Sequence, residues 1–298
     1  MKGLYKIIKF IWSHPLTSRN RFLAYKRFVY WQITQQFIPG PLSMPFIENS
    51  ILIVEKGMSG ATGNVYTGLL EFEDMSFLLH VLRPGDLFAD IGANVGVYTI
   101  LAAKNAGANV VSFEPIPSTF HRLQRNVGAN KVAGQVELKC YAVGEKAETL
   151  RFTESLGAVN HVVGVGETVG DQTVIEIPVR SIDELLNGSQ PVLFKIDVEG
   201  FEWPALLGAR QHLASSSLKG IIIELNGNGG RYGFADEQIH QLLRSFGFSS
   251  YSYDPFARII RPLPTFGAAN NTIYIKDAEW VTSRVQSARK FNILGEQL

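Results

Sequence analysis

Cysteine is almost missing from this chain of 298 residues, which contains Cys140 and no other. A single cysteine can form neither an internal disulfide nor a cysteine-based zinc site. A disulfide-stabilised secreted scaffold is therefore excluded, and a reducing cytoplasm is the expected compartment. No stretch approaches the ~18–20 uninterrupted apolar residues of a membrane span. The opening MKGLYKIIKFIW is broken by lysines and has no small-residue cleavage site, so a secretory signal is not expected.

Motifs for metal binding are also missing. The sequence contains no HExxH motif and no close His/Asp triad. We therefore expect no dependence on a metal ion.

Acidic residues do not occur in the first 47 positions. This segment holds seven basic residues: Lys2, Lys6, Lys9, Arg19, Arg21, Lys26 and Arg27. The rest of the chain has more Asp and Glu than Lys and Arg, which disfavours a track for phosphates. Nucleic acid is therefore not expected as a partner.

The basic segment is rich in aromatic residues. From Arg21 to Phe37, apolar residues recur at roughly helical spacing: Phe22, Tyr25, Phe28, Ile33 and Phe37. This spacing predicts one or two amphipathic helices. Two interpretations remain open: the helices pack on the protein's own core, or residues 1–37 dock on an anionic membrane surface or on a partner.

Short apolar runs alternate with helical patterns from residue 84 onward. The predicted strands are Leu87–Ile91, Asn109–Phe113, Val136–Val143, Val192–Asp197 and Gly220–Leu225, with Ser249–Tyr253 and Asn271–Ile275 as a final antiparallel hairpin. The predicted helices are Val95–Asn105, Ser118–Asn130, Phe201–Leu213 and Asp236–Phe246. Alternating strands and helices predict a doubly wound α/β sheet that is mostly parallel.

Four segments follow from these patterns. They are a basic helical extension (1–45), a glycine-rich connector with a helix (46–83), the α/β domain (84–277) and a C-terminal helix or tail (278–298). The stretch GATGNVYTG in the connector is either a lid, whose Asn64 and Tyr66 cover a cofactor, or a plain link.

The turn after the first α/β strand reads Asp90-Ile-Gly92-Ala93-Asn94-Val-Gly96 and leads into a helix. Glycines there let the backbone bend tightly, and the helix N-terminus offers free N–H groups. Glu114 ends the next strand, 22 residues beyond Gly92, where an acidic side chain can accept hydrogen bonds from ribose hydroxyls. The GxGxxG spacing of dinucleotide sites is absent, and an acidic turn suits a cation better than a diphosphate. S-adenosylmethionine is therefore the expected cofactor.

These residues resemble the FkbM family of S-adenosylmethionine-dependent methyltransferases. The most specific pieces are FADIGANVGVYT, Phe113-Glu-Pro115 and KIDVEGFE at Lys195–Glu202. The resemblance implies a class I methyltransferase (Rossmann-like) fold with strand order 3-2-1-4-5-7-6, and methyl transfer, usually to oxygen. It also implies that Asp90, Gly92, Asn94 and Gly96 hold the methionine part and Glu114 the ribose, with Ala93 and Pro115 beside them.

The fourth strand carries the candidate catalytic residues. Alternation places Lys195, Asp197 and Glu199 on one side, and Glu224 ends the neighbouring strand. A lysine in an apolar central strand needs a carboxylate partner. The candidates for the base that deprotonates a hydroxyl acceptor are Asp197, Glu199, Glu224 and His161, and Asp197 can also contact the cofactor.

The favoured function is O-methylation of a sugar, a glycolipid or a small metabolite. A nucleic-acid methyltransferase is disfavoured because Asp197-Val-Glu-Gly replaces the Asn/Asp-Pro-Pro-Tyr/Phe pattern, and Cys140 lies away from this edge. The other alternative is an inactive cofactor-binding scaffold, attached to a membrane or a glycan-assembly complex through its basic N-terminus. The expected location is the cytoplasm, at the inner membrane face if that segment binds lipid.

Overall fold

The computed structural model describes residues 2–154, 157–164, 166–267 and 271–298. The N-terminal part consists of helices around a β-hairpin. Its elements are α1 (Lys2–Ser13), α2 (Arg21–Phe37), β1 (Leu42–Pro45), β2 (Ile51–Val54), α3 (Ser59–Thr67) and α4 (Phe72–Val81). Within the described ranges, no helix combines the length and the hydropathy needed to cross a bilayer.

Strands and helices alternate in the next part of the chain. They are β3 (Leu87–Ile91), α5 (Val97–Ile100) with the π-helical Leu101–Ala106, β4 (Asn109–Phe113), α6 (Pro117–Ala129), β5 (Val136–Lys139), β6 (Ala142–Val143), β7 (Glu148–Thr153) and β8 (Val174–Arg180). After these come α7 (Ile182–Leu185), β9 (Leu193–Ile196), α8 (Glu202–Leu207), α9 (Arg210–Ala214) and β10 (Gly220–Glu224). Short 3₁₀ helices cover Gly157–Val159 and Asn228–Tyr232.

The C-terminal part completes the sheet. Its elements are α10 (Asp236–Ser245), β11 (Ser249–Asp254), β12 (Ile259–Pro262), β13 (Asn271–Ile275), α11 (Ala278–Gln286), β14 (Asn292–Ile293) and β15 (Glu296–Gln297).

The central sheet has the order β5-β4-β3-β9-β10-β13-β11-β12. The strands from β5 to β10 pair in parallel, whereas β13, β11 and β12 pair antiparallel. This order confirms the predicted doubly wound sheet and the 3-2-1-4-5-7-6 arrangement of class I methyltransferases. The strand β12, which lies between the two strands of the predicted hairpin in the sequence, adds one edge strand beyond this arrangement.

Two predicted elements are divided in the structure. The predicted strand Val136–Val143 leaves the central sheet after Lys139, and its last two residues pair with β8 in a small separate sheet. The predicted helix Phe201–Leu213 is split into α8 and α9 because Gly208 lies against another segment. A Cβ atom at Gly208 would lie 2.0 Å from the carbonyl oxygen of Gly144.

The glycine-rich connector is a packed helix, and neither sequence interpretation anticipated it. Gly63 in α3 lies so close to Leu70 that an added Cβ would be 2.6 Å from its Cδ1. Glycine at this position permits close packing between α3 and Leu70. Neither a lid nor a loose link would require such packing. The ring of Tyr66 contacts Phe28 of α2 edge-on, with ring centroids 5.2 Å apart.

Helix α2 packs on the core through a face whose buried residues include only Phe28 of the predicted apolar stripe. Ala24, Phe28 and Trp31 of α2 are buried. Phe22 and Phe37, which belong to the predicted apolar stripe, are 81% and 78% exposed. The helices therefore pack on the protein's own core and also leave an apolar stripe in solvent.

Two asparagine side chains, Asn126 in α6 and Asn130 at its C-cap, pair with the outer edge of β2. The side-chain oxygens of Asn130 and Asn126 accept hydrogen bonds from the amides of Ile51 and Ile53, at 2.9 and 2.7 Å. The amide group of Asn126 also donates to the carbonyl oxygen of Val95, at 2.8 Å, in the turn that follows β3. One side chain therefore connects the hairpin, α6 and the glycine turn.

Candidate functional site

Two adjoining cavities, of about 200 and 410 Å³, open at the carboxyl ends of β3, β4 and β9. Gly92, Asn94 and Asp197 line both cavities. Other residues that line the first include Glu114, Pro115, Tyr141, Phe152, Val162 and Glu199. Others that line the second include Lys56, Glu71, Asp90, Tyr98, Arg122 and Lys195. Parallel α/β sheets bind ligands at this edge, and pockets for small ligands span ~300–1,000 Å³.

The glycine turn between β3 and α5 separates the two cavities. Gly92 has φ +83°, and an added Cβ would lie 1.8 Å from the carbonyl oxygen of Asp197, so only glycine fits. Asn94, with φ +51°, accepts a hydrogen bond from the amide of Val95 through its own Oδ1, at 2.8 Å. Gly96 precedes α5 with φ +92°. Ala93 lines the second cavity.

Glu114 holds this turn in place. Its two oxygens accept hydrogen bonds from the amides of Asn94 and Ile116, both at 3.0 Å. Burial raises the pKa of Glu114 to about 7, although these two hydrogen bonds favour the charged form. The carboxylate lies in the first cavity, where the sequence analysis expects a ribose.

Asp90 lies beneath the turn and is buried. Its Oδ2 accepts a hydrogen bond from the hydroxyl of Thr99, at 2.6 Å. Burial raises the pKa of Asp90 to about 6, against the opposing effects of Thr99 and Lys195. This carboxylate places negative charge at the floor of the second cavity.

Lys195 and Asp197 form the ion pair that the sequence analysis expected for a lysine in an apolar strand. Lys195 is 2% exposed, and its Nζ lies 3.1 Å from Oδ2 of Asp197. The ammonium also donates to Oδ1 of Asn271, at 3.4 Å, and lies 5.4 Å from the centre of the Tyr98 ring. Burial opposes its charge, but Asp197 and Glu71 raise the pKa of Lys195 above its ordinary value. The lysine is therefore charged.

Glu199 does not lie on the same side as Lys195, which corrects the expectation from alternation. Strand β9 ends at Ile196, and the chain turns with positive φ at Glu199 and Gly200. Glu199 consequently lines the first cavity and Lys195 the second. Burial and the charge of Asp197 raise the pKa of Glu199 to about 7.

Glu224 and Glu202 form a carboxylate cluster with Asp197, in which oxygens of all three lie within 4.8 Å of one another. Glu202 accepts hydrogen bonds from the amides of Val198 and Gly200, whereas Oε2 of Glu224 is buried with no hydrogen-bond partner in the described residues. Burial raises the pKa of Glu202 to about 7, and burial with Asp197 raises that of Glu224 to about 8. Neither Glu202 nor Glu224 lines the two cavities. Glu202 and Glu224 thus lie behind Asp197 and hold protons near neutral pH.

His161 and Tyr66 are not among the residues that line the two cavities, and their expected roles at the site stay predictions. His161 is buried, and its ring nitrogens contact the carbonyl oxygen of Val159 and Oε1 of Glu167, both at 2.9 Å. Both ring nitrogens are therefore engaged by contacts within the protein. Tyr66 packs between helices, and the connector reaches the second cavity through Gly60, Ala61 and Asn64 instead.

The sequence analysis missed a polar group under the second cavity. The hydroxyl of Tyr98 donates to Oε2 of Glu71 at 2.5 Å, and the amide of Asn271 donates to Oδ2 of Asp74 at 3.0 Å. Burial and then Glu71 raise the pKa of Asp74 to about 7. The carboxylates in Glu71-Phe-Glu-Asp74 resemble an ordinary helix start in the sequence, which gave no signal for a site.

Residues 90–250, more than half of the chain, match the family described as the methyltransferase FkbM domain. The hexuronic acid methyltransferase AglP of Haloferax volcanii is 31% identical over 159 residues, which cover 52% of this chain and 62% of AglP. The 31-O-demethyl-FK506 methyltransferase FkbM of Streptomyces tacrolimicus is 40% identical over 85 residues, which cover 28% of this chain and 32% of FkbM.

A SAM-dependent O-methyltransferase of Thermotoga maritima is a similar solved structure, with a TM-score of 0.37 and 14% identity over 67% of this chain and 62% of its own. This chain spans less than two thirds of the length of both curated relatives. The resemblance seen in the motifs is confirmed by the family match: the chain belongs to the FkbM methyltransferase family.

Proposed function

We propose that this protein transfers a methyl group from S-adenosylmethionine to a hydroxyl of a sugar or small molecule. The observation that carries the proposal is the acidic glycine turn, held by Glu114 between two joined cavities. The adenosine part fits the first cavity, beside Glu114, and the methionine part fits the second, above Asp90. Carboxylates at both ends suit a cationic ligand better than a diphosphate.

S-adenosylmethionine, when bound, supplies an electrophilic methyl group on a sulfonium. Asp197 lines both cavities, so its carboxylate stabilises positive charge where the cavities meet, and its ion pair with Lys195 holds the carboxylate in place. Glu199 faces the first cavity with a pKa near 7, which suits a base that accepts the proton of an acceptor hydroxyl. We therefore assign the general base to Glu199. Glu224 and Glu202 position Asp197 from behind.

The base assignment predicts a pH profile. Glu199 accepts a proton only when it is ionised, so kcat should rise through about pH 7. Glu199→Gln should remove this limb and lower kcat by about 10²–10⁴-fold. An unchanged profile in the variant would assign the base elsewhere.

The acceptor class rests on the relatives, one of which is named for hexuronic acid and the other for a demethylated FK506. A sugar hydroxyl is the acceptor we favour, because AglP matches over the longer part of this chain. Turnover with a panel of uronic acids, neutral glycosides and macrolides would test this choice. Turnover of macrolides without any sugar would contradict it.

Calorimetry tests the cofactor. The wild-type chain should bind S-adenosylmethionine and not NAD, and Asp90→Ala should weaken this binding. Strong binding of NAD, or binding of neither compound, would refute the proposal. Binding of S-adenosylmethionine without turnover of any acceptor would favour the inactive scaffold.

We also propose that residues 1–37 contact an anionic membrane surface. Tyr5, Trp12, Phe22 and Phe37 are more than half exposed, and no ion pair within the described residues involves Lys6, Lys9 or Lys26. Exposed aromatic residues beside free lysines fit the interface of an anionic bilayer.

Flotation with vesicles tests this contact. The protein should float with anionic vesicles and not with neutral ones, and the combined change Lys6→Glu, Lys9→Glu and Lys26→Glu should abolish flotation. No association of the wild type with anionic vesicles would refute it.

A further inference from the structure

We infer that Glu71 binds the α-ammonium of the methionine part of S-adenosylmethionine. This inference rests on the proposed function, because it assigns a residue to the same cofactor. Glu71 lies 19 residues before Asp90, where the glycine turn begins, and outside residues 90–250, which match the family model.

Glu71 can contact a ligand because its side chain does not cap helix α4. It occupies the N-cap position of α4, yet its side chain makes no capping hydrogen bond. Instead, Oε2 accepts the hydroxyl of Tyr98 at 2.5 Å, and the carboxylate lines the second cavity. Tyr98 is buried, so it fixes the direction of the carboxylate. The other oxygen, Oε1, accepts no hydrogen bond among the described residues and is available to a ligand.

The location of Glu71 indicates which group of the cofactor it contacts, namely the ammonium. Glu114 and Glu199 line the first cavity, where the adenosine part fits, and Asp197 lies where the two cavities meet. The sulfonium joins the two parts of the cofactor and therefore lies near this junction. Glu71 lines only the second cavity, which receives the amino-acid end.

The charges around the second cavity suit the amino-acid end, which is a zwitterion. Lys56 and Arg122 line the cavity and can face its carboxylate. On the floor, Glu71, Asp74, Asp90 and Asp197 outnumber the single Lys195. Their mutual repulsion contributes to the raised pKa values of Asp74 and Asp90. An incoming ammonium would relieve this repulsion, and Glu71 lines the cavity with one oxygen held by Tyr98 and the other without a hydrogen bond among the described residues.

The experiment compares two adenosine ligands that differ in their amino-acid end. S-adenosylhomocysteine carries the ammonium and 5′-methylthioadenosine lacks the amino-acid group. Calorimetry should show that Glu71→Gln binds S-adenosylhomocysteine about 10–100-fold more weakly than the wild type does, the usual effect of losing a hydrogen bond between charged groups. The affinity for 5′-methylthioadenosine should stay within about twofold.

Glu73→Gln is the matched control, since Glu73 is exposed on the same helix and does not line the cavity. It should leave both affinities unchanged. Glu71→Asp retains the charge and should bind more tightly than Glu71→Gln, which keeps the test valid if the glutamine variant folds poorly.

Three results would overturn the inference. Equal binding of S-adenosylhomocysteine by Glu71→Gln and the wild type would show that Glu71 does not contact the ammonium. An equal loss for both ligands would indicate a general effect on the fold. If the wild type binds 5′-methylthioadenosine and S-adenosylhomocysteine equally well, no residue recognises the amino-acid end, although the proposed function would stand. The proposed function itself fails if the wild type binds neither ligand.

Discussion

Replacing Lys195 by methionine should destabilise the protein strongly and in a way that depends on pH. Lys195 is 2% exposed, and its charge interacts with those of Asp197, Glu71 and Glu224. Removing one partner of a buried ion pair costs about 3–5 kcal/mol, a large part of the ~5–15 kcal/mol that stabilises a typical domain. The cost should be largest when the surrounding carboxylates are ionised.

The pH dependence has a definite sign. Asp90, Asp74 and Glu224 already have raised pKa values, of about 6, 7 and 8, and loss of the lysine raises them further. The folded variant therefore holds more protons than the folded wild type between pH 8 and pH 6, whereas the unfolded chains hold the same number on these groups. Each such proton recovers about 1.4 kcal/mol per pH unit, so the destabilisation should shrink on acidification.

Urea unfolding of wild type and variant at pH 8 and pH 6 measures this difference. Lys219→Met is the control, because Lys219 also pairs with an aspartate, Asp277, at 2.9 Å, but near the surface. We expect a cost of less than about 1 kcal/mol for the control at both pH values. The reasoning is refuted if Lys195→Met costs no more than the control, or costs the same at pH 8 and pH 6.

Three further predictions concern the turn and the buried acids. Gly92→Ala should abolish cofactor binding in calorimetry, because its Cβ would collide with the backbone of Asp197. The control is Gly128→Ala on α6, which should bind normally because no atom lies within 4 Å of the added Cβ. Glu114→Gln should weaken cofactor binding about 10-fold or more, because the amide can accept from only one of the two N–H groups that the carboxylate holds; unchanged affinity would contradict this role. The free protein should become more stable from pH 8 to pH 6.5 in thermal unfolding. Burial raises the pKa values of Glu114 and Glu202 to about 7, so folding takes up protons, and a flat profile would argue against these shifts.

The α/β fold was predictable because its signals are local. Apolar runs and glycine turns in the sequence predict the positions of β3, β4, β9 and β10. The pairing of Lys195 with Asp197 follows from the free-energy cost of burying an unpaired lysine. The assignments of Asp90, Gly92 and Glu114 to the cofactor stay predictions, although all three line the cavities.

The remaining features depend on contacts between distant segments, which periodicity does not report. The glycines of α3 suggested a mobile segment. In the structure, Leu70 packs into the space that a side chain at residue 63 would occupy. Alternation placed Glu199 beside Lys195, but the strand ends three residues earlier and the chain turns at positive φ. Glu71 could not be recognised, because its partner Tyr98 lies 27 residues away and resembles an apolar helix residue.

The asparagine bridge on β2 has a consequence for how the protein behaves at high concentration. A strand edge with free amide and carbonyl groups is a template onto which another chain can add, and here side chains of α6 occupy that edge. Changing Asn130 to leucine would expose the amide of Ile51 without touching either cavity. Self-association, visible in light scattering before any loss of ligand binding, is the first defect that such a change should produce.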